Sequence, residues 1–159
     1  MIRALAAIDE KRGLAKHDRL PWRIPMDIDR YTKLMRTNGG TVLVGRKTYE
    51  QMGSKLEGLN IILATRTYAC MDPVIVVDDI KSFLKDNNGE EDIWVLGGGK
   101  VFEESLEYID ELWLTEIEGD YKCDVFFPEF KNKYVLASES GPFEQNGCKF
   151  HFRNYTRIN

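Results

Sequence analysis

A chain of 159 residues, 43% hydrophobic and 30% charged with a net charge of -4, has enough apolar material for one well-cored domain. It has too little basic surface to take nucleic acid or an anionic membrane as its main partner. Three cysteines (Cys70, Cys123, Cys148) without a CxxC pair argue against a disulfide framework, and two histidines (His17, His151) without ligand-like neighbours argue against a metal site. No stretch approaches the length of a membrane span, and the first apolar run meets Asp9 too soon for a signal segment, so a cytoplasmic protein is expected.

Ile2 to Ile8 reads as a buried strand and the polar stretch Asp9 to Arg19 as a loop. Leu20-Pro-Trp-Arg-Ile-Pro-Met-Asp27 then leads into a helix. Pro25 sits at the first position, where its missing N–H has no partner to lose, the pattern runs to about Arg36, and Gly39-Gly40 stop it. Asp27, Tyr31, Leu34 and Met35 share one face of that helix, flanked by Ile28, while Asp29 points off the stripe. Either Asp27 merely occupies the first turn, where acids suit the helix dipole, or it is a partly buried carboxylate awaiting a cationic or N–H-rich ligand. Position alone leaves both open.

Thr41 to Gly45 is a second buried strand, opening on a short helix, Arg46 to Met52. Asn60 to Thr65 and Val74 to Val77 are further β-branched runs, and Ile80 to Lys85 is helical until Asn87-Asn88-Gly89. Ile93 to Leu96 runs into Gly97-Gly98-Gly99 and then an apolar stripe of Val101, Phe102, Ser105 and Leu106. Strands apolar on both faces, alternating with helices, indicate a mostly parallel sheet covered on both sides. Leu112 to Ile117, Tyr134 to Glu139 and Lys149 to Thr156 are strands without helices between them, and Gln145-Asn-Gly147 has hairpin chemistry, so the ending is antiparallel. One domain is expected.

Ligands of open α/β sheets bind beyond the carboxyl ends of the strands. Two such ends carry glycine, at Gly97-Gly98-Gly99 and at Gly45-Arg46-Lys47-Thr48, and Arg66 and Lys100 add charge at equivalent places. These cations are either ordinary surface charges or the grip on a polyanion such as a dinucleotide. The GxGxxG fingerprint is absent, so a dinucleotide would need another scheme.

Taken in order, Leu20-Pro-Trp-Arg-Ile-Pro-Met-Asp27, Gly45-Arg-Lys-Thr48, Leu96-Gly-Gly-Gly99 and Leu114-Thr-Glu-Ile117 make the chain resemble the dihydrofolate reductases from end to end. The resemblance implies an α/β fold with an eight-stranded, mostly parallel sheet, helices on both faces and an antiparallel C-terminal hairpin, in a monomer. It also implies reduction of 7,8-dihydrofolate to tetrahydrofolate with NADPH as hydride donor. Asp27 would then accept hydrogen bonds from the pterin N3 and 2-amino groups, Thr115 would hydrogen-bond to that carboxylate, and Trp22 would position an ordered water. Leu5, Ala6, Ala7, Ile28, Tyr31 and Leu96 would line the substrate pocket, with Met52 and Leu56 on the aminobenzoyl ring. Gly45, Arg46, Lys47 and Thr48 with Gly97, Gly98, Gly99, Lys100, Val101 and Phe102 would hold the cofactor, Thr65 and Arg66 its 2′-phosphate, and Leu14, Ala15 and the loop to Leu20 would close over the nicotinamide.

Several positions depart from the family pattern. The arginine usual after the glycine aligned with Gly58, which forks onto the substrate's α-carboxylate, is replaced by Leu59-Asn60 in a shorter segment. Lys33, Arg36 and Lys55 are the candidate substitutes, and lysine offers a point charge, not a fork. Ala15 and Cys123 stand where glycines are usual, and Asp78 where a base often lies near the adenine. A reductase of another pterin or of a ribosylaminopyrimidine, which would need no tail-binding arginine, and a silent nucleotide-binding module are the alternatives. Cofactor binding alone would require none of Asp27, Trp22 and Thr115.

Overall fold

Short runs of Val, Ile, Leu and Ala pair side by side in a computed structural model that describes residues 1–66 and 74–159; Cys70 lies outside the described residues. The strands are β1 (Ile2–Ile8), β2 (Gly13–Ala15), β3 (Thr41–Gly45), β4 (Asn60–Ala64), β5 (Ile75–Val77), β6 (Ile93–Gly97), β7 (Glu111–Ile117), β8 (Val125–Phe126), β9 (Tyr134–Gln145) and β10 (Cys148–Arg157). The helices are α1 (Pro25–Leu34), α2 (Arg46–Met52, running on into a 3₁₀ turn at Gly53–Leu56), α3 (Ile80–Asn87) and α4 (Gly99–Ser105).

Eight strands form one sheet in the order β5-β4-β3-β6-β1-β7-β10-β9. From β5 to β7 all neighbours are parallel, and β10 then runs antiparallel to both β7 and β9. Successive strand residues point to opposite faces. Leu43, Ile93 and Val95 pack with Ile80 and Leu84 of α3 and Val101 and Phe102 of α4 on one side. Val42 and Trp94 pack with Tyr31 and Leu34 of α1 and Tyr49 and Met52 of α2 on the other. No helix is long and apolar enough among the described residues to cross a membrane.

The larger differences from the sequence expectation lie in the first helix, the Asp9–Arg19 loop and the strand from Tyr134. The first helix ends at Leu34, and the chain turns away through Asn38 and Gly39 at φ 55° and 96°. The Asp9–Arg19 loop contains β2, which pairs with β8, more than a hundred residues away and too short to announce itself. The strand from Tyr134 continues to Gln145, through Ser-Gly-Pro, because β9 is the sheet edge and its outer N–H positions need no partner. A register shift opposite Phe150 and Phe152 absorbs Gly141, at φ 115°. The expected hairpin forms, with Asn146 and Gly147 at φ 51° and 75°.

The segment after β8 is pinned by aromatic rings. Phe127, fully buried, lies 4.8 Å from Phe102 and 5.7 Å edge-on from Phe130, which in turn meets Tyr155 at 5.0 Å. Its backbone N–H donates to the carbonyl of Arg12 and its carbonyl accepts from the Arg12 guanidinium, each at 2.7 Å. Phe127→Ala should therefore lower the unfolding free energy by about 3–5 kcal/mol, read from urea denaturation.

Candidate active site

The helix α1 carries an inverted pattern: its one buried residue is an acid, Asp27. That carboxylate, 8% exposed, sits at the third position of the helix, where the backbone dipole favours an anion. Thr115, in the middle of β7, donates its hydroxyl to Asp27 Oδ1 at 2.5 Å. The second oxygen has no partner among the described residues, and Asp27 forms part of a cleft wall. Burial pushes its pKa up from the ordinary 3.8, against the downward pull of Thr115 and Arg30. Tyr31, one turn further on, is raised by burial and by the same carboxylate. Trp22 is buried edge-on against Tyr121, ring centres 5.3 Å apart, and its indole N–H has no partner among the described residues.

The cleft holds about 720 Å³. Leu5, Ala6, Ala7, Tyr31, Met52 and Leu96 form its apolar wall, with Leu14, Leu20 and Phe102 toward the other end. A second channel of about 320 Å³ runs past the carboxyl ends of β3, β4 and β5. Arg46, Lys47, Arg66 and Lys100 converge on it with Gly45, Thr65 and Val101, so the four cations are gathered on one surface; Asp78 and Glu104 share it. Thr48, Gly98 and Gly99 border both spaces and form the seam between them. Glycine is required here. A Cβ on Gly99 would lie 2.7 Å from Val125 Cγ1, and Gly97 has φ 110° with Phe102 3.0 Å from where its Cβ would be.

Not every expected residue reaches the cleft surface. Leu56 is 1% exposed and packs in the same cluster as Met52, beneath the wall, because the 3₁₀ turn tucks it inward. Ile28 is half-buried beside the stripe, Trp22 and Thr115 stand behind the wall, and Gly97 lies under the seam. Gln51 was not part of the expected pocket but lines it, and Lys55, expected only as a candidate grip on the substrate's carboxylate, lines it too. The signal was present, since Thr48, Gln51, Met52 and Lys55 follow helical spacing along one face.

A strap from Lys16 to Leu20 crosses the cleft mouth. His17 and Asp18 adopt left-handed backbone at φ 49° and 61°. The His17 N–H donates to Asp124 at 3.0 Å, Lys47 pairs with Asp18 at 3.1 Å, and Gln51 donates to the Asp18 carbonyl. Of the cations proposed to replace the missing arginine, Arg36 directs its guanidinium to the carbonyls of Thr32, Lys55 and Glu57, Lys33 is not on the cleft wall, and Lys55 is.

An open, largely parallel sheet with a cation-lined channel opening into an acid-bearing apolar cleft at its strand ends is the architecture of an enzyme that works on a small molecule with a nucleotide beside it. The family model described as Dihydrofolate reductase matches residues 1–157. A Bacillus subtilis (strain 168) protein named Dihydrofolate reductase is 31% identical over 163 residues, covering 100% of this chain and 96% of its own. A Staphylococcus aureus (strain MSSA476) protein of the same name is 32% identical over 150 residues, covering 92% and 91%. The chain belongs to the dihydrofolate reductase family and is an oxidoreductase of folate metabolism.

A carboxyl whose folded pKa is raised favours the folded state while protonated, and that contribution is lost as pH rises from 3.8 through the folded value. Asp27→Asn keeps an acceptor for Thr115 without the buried charge. It should stabilise the protein at pH 7 by about 1 kcal/mol, or roughly 3 °C in Tm, with the gain shrinking toward pH 4 in thermal scans.

Proposed function

We propose that the chain reduces 7,8-dihydrofolate to tetrahydrofolate with NADPH as the hydride donor. The observation that carries this reading is the Asp27 carboxylate, with one oxygen held by Thr115 and the other open to an apolar cleft. A buried anion so placed selects a flat ligand offering two adjacent N–H donors, and the N3 and 2-amino edge of a pterin is such a group. The apolar wall from Leu5 to Ala7 with Tyr31 and Leu96 suits the ring faces, and Met52 suits an aryl ring beyond them.

The channel fits a phosphorylated dinucleotide: four cations converge on it, and Gly99 leaves a cradle that a Cβ would fill. Arg46, Lys47, Thr48 and Lys100 would hold the pyrophosphate, with Thr65 and Arg66 on the 2′-phosphate. When bound, NADPH supplies a hydride. The seam at Thr48, Gly98 and Gly99 would bring donor and acceptor into one enclosure, and the strap with Leu14 and Leu20 would exclude water from it. Asp27 lies across a bound pterin from N5. Its role is then to orient the ring and stabilise the positive charge that develops as N5 takes a proton from water. The unpartnered Trp22 N–H is suited to holding such a water.

Purified protein should consume NADPH and dihydrofolate together and prefer NADPH to NADH. Asp27→Asn should lower kcat/KM at neutral pH at least about a hundredfold while NADPH affinity stays within about twofold; turnover equal to the parent's would remove the role given to Asp27. A second reading, a reductase of a tail-less pterin, is favoured by the cleft wall offering Lys55 where a fork would grip a carboxylate. Steady-state comparison should give only about a tenfold preference for dihydrofolate over a tail-less dihydropterin, the worth of one charge-assisted contact.

A further inference from the structure

Three residues beyond Asp27 on the same side of α1 stands Arg30, a cation on a helix face that closes an apolar cleft. Its guanidinium carbon lies 4.1 Å from the ring centre of Phe152 and 5.9 Å from that of Trp113. Among the described residues it forms no hydrogen bond or ion pair. Phe152 is the β10 neighbour directly opposite Thr115, and Trp113 is two residues from Thr115 on the same face of β7. The rings that fix the guanidinium therefore flank the hydroxyl that fixes Asp27. A cation held on aromatic faces cannot swing away to solvent as a free surface arginine does.

We propose that Arg30 is a positioning residue for the reaction: its charge, immobilised on Phe152 and Trp113 beside Asp27, acts with the Thr115 hydrogen bond to favour the anionic carboxylate against its burial. This rests on the role given to Asp27 above.

Thr115 also favours the anion through its hydrogen bond but carries no charge, and no other group around Asp27 supplies one. On α1, Asp29 points to solvent and Tyr31 is a neutral phenol whose pKa is itself raised. From β1 only Leu5, Ala6 and Ala7 face the cleft. Glu116 of β7 and His151 and Arg153 of β10 alternate to the opposite face of the sheet, where Glu116 and Arg153 pair at 3.7 Å. Across the cleft, His17 and Asp18 are engaged with Asp124 and Lys47. Arg19 and Lys55 are exposed at the mouth, where water screens them. The influence is mutual, since burial lowers the Arg30 pKa while Asp27 raises it, and arginine remains charged throughout.

The test follows the Asp27 carboxyl carbon of the full-length protein by ¹³C NMR across pH, the resonance being assigned by its loss in Asp27→Asn. Arg30→Met keeps an apolar stem against Phe152 and removes the charge, and should raise the midpoint by about one unit. Arg30→Lys should raise it by less than half as much. The pH profile of kcat/KM for dihydrofolate should move the same way. An unmoved midpoint in Arg30→Met overturns the proposal, as does an equal shift in Arg30→Lys, which retains a charge. If Arg30→Met does not fold, Arg30→Gln, planar and neutral, is read by the same criterion. An Asp27→Asn enzyme as fast as the parent would overturn the role of Asp27 and leave the coupling standing; a slow one with an unmoved Arg30→Met midpoint would overturn the coupling alone.

Discussion

Removing a carboxylate from water costs several kcal/mol unless its lone pairs find donors. Asp27 is given one protein hydrogen bond, from Thr115, and the opening of a cleft for the rest. That incomplete satisfaction organises the site. Thr115 is central in β7, held between β1 and β10, so the sheet register decides where the acid's bound oxygen lies. A one-residue slip of β7 would turn Thr115 to the other face and leave the carboxylate with no donor at all. The position of the charge is thus a property of the whole sheet and only locally one of the helix.

Two solvent environments meet at the strand ends. The cleft has an apolar wall around Asp27, with Asp18, Arg19 and Lys55 at its mouth, and the channel gathers four cations against two acids. A ligand pair spanning both must thread the seam formed by Thr48, Gly98 and Gly99, where side chains give way to backbone. Lys47 belongs to the channel and also pairs with Asp18 of the strap, so the two spaces are linked electrostatically as well as sterically. Exposed pairs of this kind are weak, and the strap is held lightly.

The parts written locally in the sequence were legible, and the parts made by distant contacts were not. β3 and α2 have the boundaries expected of them, because a β-branched run ending in Gly45 and a helical run ending at Gly53 carry their own stops. Asp27 could be placed on a buried stripe from periodicity, yet only the resemblance pointed to Thr115, eighty-eight positions away, as its donor. β2 and β8 stabilise each other across more than a hundred residues and leave no periodic trace. Leu56 has the polarity of a pocket residue, and only the 3₁₀ turn determines that it is tucked beneath the wall. Nothing in the sequence singles out Arg30, because its aromatic partners belong to β7 and β10.

Helix faces that close on a sheet are ordinarily apolar, and α1 breaks that rule twice within one turn, with a buried acid and a half-buried arginine. Each charge alone would be destabilising, and together they are less so, since desolvation acts on both while their attraction opposes it. They do not close into an ion pair at contact distance. A direct bridge would occupy the oxygen that faces the cleft and abolish the site. Holding the guanidinium on Phe152 and Trp113 keeps the field of the cation at Asp27 while leaving that oxygen free. Local rules fail together where a ligand is meant to complete the electrostatics, and in this chain they fail around one unsatisfied carboxylate oxygen.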